Sequence, residues 1–341
     1  MSSKSNLSNS MSRRRFIKVS ATAASLACLP FCARSVTSDR WGTILPTRKL
    51  GKTGLEPTIF CIGGGPFDSD YKNAESIIEA AIQGGCRFFE TARAYGRGES
   101  EIGFGKYLIP NYRDDIILMT KTTAKNSEAA MRDLDTSLEA MKTDYVDIYL
   151  MHAIRSPDDL EERLTGGVFD ALVRAKEDGK IGHIGFSGHN DPVTNNYVIN
   201  KDFDDMEVVL VPVNVADPVK DSFILDSLPL AREKNIGVIA MKVFAGGGFH
   251  GTPVVWGRNR GEERERVIPD IISRKDAHHF TLSIMPVATV TIGCNSAEEV
   301  NENIADAWDF SRIKDSHHKE LVERITEVAL NYTLEHYKSV Y

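Results

Sequence analysis

Cysteine is scarce in this chain. Of the five in 341 residues, Cys28 and Cys32 fall in a basic leader, and Cys61, Cys86 and Cys294 are too widely spaced for a metal cluster or a disulfide framework. A cationic excess is lacking too. Formal net charge is −7, and without the leader's Lys4, Arg13, Arg14, Arg15 and Lys18, which no acid accompanies through residue 33, it is −12. A body of that charge repels nucleic acid and anionic membrane surfaces. No apolar run reaches the length of about 20 residues that a membrane-spanning helix needs. Internal repeats and low-complexity segments are absent as well. With 42% hydrophobic and 26% charged residues, the composition excludes a disordered chain and fits a soluble enzyme acting on a small molecule.

The leader reads as an address rather than as fold. Ser12-Arg13-Arg14-Arg15-Phe16-Ile17-Lys18, followed by a mildly apolar stretch from Val19 to Ala33, is similar to the twin-arginine export signal. That resemblance implies residues 1–33 as a signal peptide, passage in the folded state through the twin-arginine translocase, and a periplasmic destination. Small residues permit cleavage after Ala27 or after Ala33. Cys28 and Cys32 leave a lipid-anchored form open, so membrane attachment is expected only if the protein is lipidated or uncleaved. Residues 34–45 read as a linker and residues 46–341 as one domain.

Within that domain, short apolar runs alternate with helical patterns. The runs Thr58–Ile62, Cys86–Glu90, Ile116–Lys121, Tyr145–His152, Ile181–Ser187, Val208–Val213, Gly237–Lys242 and Ala288–Ile292 are expected strands, rich in Ile, Val and Phe. Helix-like spacing lies between them at Asn73–Gln83, Glu99–Leu108, Ser127–Met141, Val168–Glu177, Pro192–Lys201, Ser222–Lys234, Asp276–Ile284 and Ala297–Ala307. This rhythm predicts an α/β fold, a (β/α)8 TIM barrel. An N-terminal hairpin within Thr47–Glu56 and an extra C-terminal helix over Glu320–Tyr337 complete it.

Three successive strand ends carry chemistry. In such a barrel the C-terminal strand ends meet on one face, so Glu90 and Tyr95, Lys121, and His152 are expected to share a pocket. Hydride addition to a carbonyl builds negative charge on its oxygen, and a proton donor must stand beside that atom. A tyrosine serves if its pKa, about 10 when unperturbed, is lowered. A buried lysine lowers it by stabilising the phenolate, and a carboxylate keeps that lysine charged and oriented. A histidine supplies a second hydrogen bond to the carbonyl. Tyr95, Lys121, Glu90 and His152 fit these four roles. Singly, each has a duller reading as a solvated charge or a loop-packing residue.

The order Phe89-Glu90-Thr91-Ala92-Arg93-Ala94-Tyr95-Gly96, then Lys121, then His152 resembles the aldo-keto reductase family, with Glu90 standing where the family has Asp. The resemblance covers Thr47 to Ala307 and implies a nicotinamide nucleotide as cofactor. Ser187 falls where the family's serine bonds the nicotinamide amide, followed here by Gly188 in place of the usual Asn, so His189 or Asn190 is an alternative contact. Leu210 and Val213 take the places of a Gln and an aromatic residue, and Asn214 follows as a further contact. Lys242, Ala245, Gly246 and Gly247 begin the loop that relatives fold over the cofactor; adjacent glycines also let backbone amides approach a pyrophosphate. The loop runs to about Lys275.

Gly293, Asn295, Glu302 and Asn303 resemble the adenosine-binding end. A site with Glu298 and Glu299 and without a cation disfavours a 2′-phosphate, which favours NAD(H) over NADP(H). Some relatives carry a C-terminal iron–sulfur segment; no Cys follows Cys294 in these 341 residues, and no metal site is expected.

The expected function is therefore an NAD(P)-dependent oxidoreductase that interconverts a carbonyl and an alcohol, with a sugar or polyol as the natural substrate class. Export into a compartment without free nucleotide implies that the nucleotide stays bound through many turnovers. Two other readings remain at this stage. The departures at Glu90, Leu210 and Val213 also suit a catalytically degenerate barrel that binds a ligand. A nucleotide-free lyase or isomerase needs a metal or a paired base, and no His/carboxylate set has ligand spacing.

Overall fold

The structure is a computed structural model that describes residues 37–67, 73–254, 260–330 and 333–339. The leader lies outside the described residues. A short antiparallel ribbon comes first, β1 (Ser38–Asp39) and β2 (Gly42–Thr43), in the stretch read above as linker. The ribbon is fastened to the domain: Asp39 takes two hydrogen bonds from Arg87, at 2.7 and 2.9 Å, and this cation holds the Asp39 carboxyl below its ordinary range.

Eight parallel strands then close into a barrel. They are β3 (Phe60–Gly63), β4 (Phe88–Glu90), β5 (Ile117–Thr122), β6 (Val146–Ile154), β7 (Ile181–Gly188), β8 (Met206–Pro212), β9 (Gly237–Met241) and β10 (Val287–Gly293). Each pairs with its sequence neighbour, and β10 returns to β3 with Val290 opposite Phe60. Side chains alternate across each strand, so one set fills the barrel and the other packs under helices. Cys61, Phe88, Met119, Ile148, Leu150, Val208 and Ile239 form the inner set. The floor is plugged by Leu50, fully buried, from a hairpin in which Leu50 N–H bonds Leu55 O and Thr47 pairs with Thr58. Gly237 must be glycine there, because a Cβ would lie 2.6 Å from Leu50 Cγ.

The helices are α1 (Ala74–Gln83), α2 (Glu99–Tyr107), α3 (Ile109–Tyr112), α4 (Ser127–Met141), α5 (Pro157–Thr165), α6 (Val168–Glu177), α7 (Pro192–Ile199), α8 (Phe223–Asp226), α9 (Leu228–Glu233), α10 (Arg274–Ser283), α11 (Ala297–Trp308) and α12 (Asp315–Ala329). Local chemistry starts several of them: Asn126, Ser156, Asp191 and Ser296 accept a backbone N–H of the first turn, and Pro157 and Pro192 occupy positions whose N–H has no intrahelical partner.

Two expected helices are corrected. Ser222–Lys234 is broken at Ser227 into α8 and α9, because Pro229 has no N–H to continue the ladder and its ring meets the preceding turn. Glu320–Tyr337 is not one helix: α12 ends at Ala329, and His336–Ser339 forms a separate 3₁₀ turn. Burial decides the second case. Tyr337 is fully buried, and Lys338 is bound to Asp217 at 2.9 Å and Glu335 at 2.8 Å above the barrel mouth.

Candidate active site

The carboxylate, phenol and ammonium expected at the strand ends meet at one point. Lys121, on β5 and fully buried, donates from Nζ to Thr91 O at 2.7 Å, to Tyr95 OH at 3.2 Å and to Glu90 Oε1 in a close ion pair. The Tyr95 hydroxyl also reaches Glu90 Oε1, at 3.1 Å. Burial pulls the Lys121 pKa down, and the Glu90 charge beside it opposes that shift.

The loop bearing Tyr95 is held from behind. Arg93 bonds Glu101 at 2.5 Å and the Arg97 carbonyl at 2.9 Å, and Gly98, at φ +102°, leaves room for that guanidinium. A side chain at 98 would collide with it.

His152, on β6, stands edge-on to Tyr95 with ring centroids 5.9 Å apart. Its backbone is fixed by Arg163 Nη1, which donates to His152 O at 3.0 Å, and by Ala153 N–H, which donates to Ser187 Oγ at 2.8 Å. Burial, with Lys121 and Arg163 nearby, holds the imidazole pKa well below its ordinary value. His152 is therefore neutral near pH 7, and its Nδ1 is buried without a partner among the described residues. A neutral imidazole can donate one hydrogen bond without carrying charge.

From Tyr95 and Glu90 a cavity of ≈ 500 Å³ extends past His189, Leu210, Met241 and Lys242 to Gly246, Gly247 and Gly293. Lys242, Gly246, Gly247 and Gly293, expected above as cofactor contacts, all line this cavity. Gly246 and Gly247 have φ of +59° and +85°, a region open to glycine at little cost. Burial and Arg264 push the Lys242 ammonium down to about 8, against the Glu90 charge. Backbone without side chains, next to a cation and a deep cavity, fits the phosphates of a dinucleotide.

The other expected contacts are placed differently. Ser187 is fully buried, and its Oγ accepts the Ala153 N–H. Ala245 is also fully buried, its carbonyl within 3.5 Å of Arg264 Nη1. Asn214 is corrected outright. Its amide donates to Tyr337 OH at 2.9 Å and Glu335 Oε1 at 3.0 Å and its oxygen accepts Ala216 N–H at 2.8 Å, so it anchors the C-terminal turn and leaves no amide hydrogen for a ligand.

At the far end, Asn295 binds Glu299 through its backbone N–H at 2.8 Å and its side chain at 3.1 Å. Glu302 is largely exposed and lies 3.6 Å from Arg274, whose guanidinium pairs with Asp306 at 2.8 Å. Asn303 is buried, donating to Glu299 O at 2.8 Å.

One residue gave no usable sequence signal. Arg264, in the loop after β9, is buried, donates to the carbonyls of Thr252 and Gly246, and bonds His336 Nδ1 at 3.2 Å. It ties the glycine segment to the C-terminal turn. In sequence it is one Arg among alternating charges.

A closed parallel barrel with a half-buried tyrosine against a buried lysine–carboxylate pair, and a neutral histidine beside it, defines a carbonyl-handling oxidoreductase class. Residues 60–340 match the Aldo/keto reductase family, and the chain belongs to that family. An L-galactose dehydrogenase of Arabidopsis thaliana is 27% identical over 316 residues, 85% of this chain and 97% of its own length. An uncharacterized oxidoreductase of Bacillus subtilis is 27% identical over 289 residues, 76% of this chain and 90% of its own. Among solved structures, the holo form of an aldo-keto reductase from Bacillus halodurans superimposes with a TM-score of 0.67 at 22% identity, covering 82% of this chain and 96% of that one.

Proposed function

We propose that this oxidoreductase interconverts a carbonyl and an alcohol of a sugar or polyol, using NAD(H) held in the cavity between Tyr95 and Gly293. The carrying observation is the contact of Lys121 Nζ and Glu90 Oε1 with the Tyr95 hydroxyl. In the reducing direction Tyr95 gives its proton to the carbonyl oxygen, and Lys121 stabilises the phenolate left behind. Glu90 keeps Lys121 charged and in place. His152, neutral, donates to the same carbonyl oxygen and fixes its direction. The bound nucleotide supplies the hydride, or accepts it in reverse. Lys242 and the Gly246–Gly247 backbone hold its phosphates.

The preference for NAD(H) rests on Glu299, which stands in the first turn of α11 gripping Asn295, and on Arg274, whose charge Asp306 already offsets. A 2′-phosphate there meets a carboxylate without a spare cation. The sugar reading draws support from the plant relative's name. The twin-arginine-like leader supports export of the folded protein to the periplasm, with the nucleotide loaded beforehand and retained. Retention requires either alternation of an oxidised and a reduced substrate or epimerisation through a keto intermediate.

Protein purified from cells tests this by native mass spectrometry, followed by chromatography of nucleotide released on heating. Stoichiometric NAD(H) is the expected result. NADP(H) in its place overturns the cofactor preference, and steady turnover by added nucleotide in protein that carries none overturns retention.

A further inference from the structure

Besides Glu90 and Tyr95, the cavity wall carries one further hydrogen-bonding ring that has no role so far. His189 follows β7 directly and lines the pocket together with Tyr95, Leu210 and Met241. Its ring lies beside that of His152, centroids 6.0 Å apart and tilted by 48°. Gly188 makes this placement possible: a Cβ there would lie 1.7 Å from Asn195 Oδ1, so only glycine lets β7 end close against α7. Nε2 of His189 is sealed without a partner among the described residues. A buried polar atom that the fold leaves unmatched calls for a partner, which a water or a ligand group in the cavity can supply. Burial, with Lys242 and His152 as neighbours, holds the His189 imidazole well below its ordinary pKa. The ring is thus uncharged, able to donate at one nitrogen and accept at the other.

Two neutral imidazoles side by side have a simple chemical complement. A substrate whose reacting oxygen met His152 and Tyr95 would bring a second oxygen, on the adjacent carbon, toward the neighbouring ring. Leu210 and Met241, beside His189, offer no competing polar group. An unhydroxylated substrate leaves the His189 ring without a partner from the ligand, which penalises it.

We propose that His189 is a specificity residue that binds a hydroxyl on the carbon next to the reacting one, so that the pocket selects α-hydroxy carbonyl compounds and, in reverse, vicinal diols. This rests on the carbonyl–alcohol reading above and narrows its substrate class. The proton and hydride transfers are unchanged by it.

The test compares three aldehydes of one chain length, 2-hydroxypropanal, 3-hydroxypropanal and propanal, with NADH and NADPH in separate assays. The wild-type protein is expected to favour 2-hydroxypropanal over both others by about tenfold or more in kcat/KM, the worth of one well-placed hydrogen bond. His189→Leu is expected to erase that preference, chiefly by raising KM for 2-hydroxypropanal relative to propanal, and His189→Gln to restore part of it. Equal rates for the three aldehydes with wild type overturn the proposal without any variant. So does a preference that survives in His189→Leu. A His189→Leu protein that is folded by circular dichroism but has lost NADH binding, read by fluorescence titration, also overturns it, because the ring then serves the nucleotide. Failure of wild type to reduce any of the three with either nucleotide overturns the reductase reading itself, and is distinguishable from the other outcomes.

Discussion

Glu90 Oε1 contacts the Tyr95 hydroxyl at 3.1 Å and is the same oxygen that pairs with Lys121. With Glu at position 90 the lysine–carboxylate pair is formed, and the same carboxylate contacts the phenol directly. The donor, its lysine and its carboxylate therefore act as one hydrogen-bonded unit, and variants of the three are expected to be non-additive.

Tyr95→Phe removes the proton donor and nothing else of size. Steady-state turnover of an aldehyde is expected to fall by about 10²- to 10⁴-fold, while nucleotide binding by fluorescence and the unfolding temperature hold. A variant that keeps its turnover assigns the donor role elsewhere.

Lys121→Met leaves the Glu90 carboxylate buried without its cation. Breaking a buried pair in this way costs about 3–5 kcal/mol, read as a lower urea midpoint. Adding Glu90→Gln recovers most of that stability and none of the activity. Recovery of both by the double variant contradicts the role given to Lys121.

Lys242 titrates at about 8 because of its burial, whereas in the unfolded chain it keeps its proton to its ordinary value of 10.5. Between those two pH values the unfolded state binds more protons, so this residue contributes stability that rises with pH. A phosphate bound beside the ammonium opposes deprotonation. Nucleotide affinity is therefore expected to fall above pH 8, by at most about tenfold per pH unit, and Lys242→Met to flatten that limb. Titrations from pH 7 to 10 measure it.

Glu299→Gln removes the carboxylate beside Asn295. NADP⁺ affinity is expected to improve by about fivefold, with the change shrinking at high salt and NAD⁺ affinity unaffected. Calorimetric titration of both nucleotides decides whether Glu299 discriminates against the 2′-phosphate.

Asn214→Ala strips partners from buried Glu335 and Tyr337. A loss of about 2–3 kcal/mol in unfolding free energy is expected, with nucleotide affinity retained. Weakened nucleotide binding at unchanged stability returns Asn214 to the cofactor site.

Much of the fold is legible in the sequence because its signals are local. Runs such as Ile181–Gly188 are short and apolar, and caps such as Ser156 with Pro157 mark where helices begin. The alternation of the two periods leaves little but a parallel barrel. Tyr95, Lys121 and His152 could be chosen because strand ends converge in that architecture. What was illegible concerns long-range partners. Asn214 looked available until Glu335 and Tyr337, more than a hundred residues later, took its amide. Arg264 acquired its place only through backbone carbonyls and His336. Ser187 lies at the end of β7, but its hydroxyl accepts the Ala153 N–H.

By itself, the sequence determined the strand and helix periodicity, the positions of the glycine turns and which residue types stand at the strand ends. These depend on backbone sterics and on side-chain alternation, which act over a few residues. Tertiary structure alone decided that Glu90 touches Tyr95, that two neutral imidazoles stand side by side, and that the C-terminal turn consumes Asn214. Those outcomes depend on desolvation and hydrogen-bond matching between segments far apart in the chain, and no local pattern encodes them.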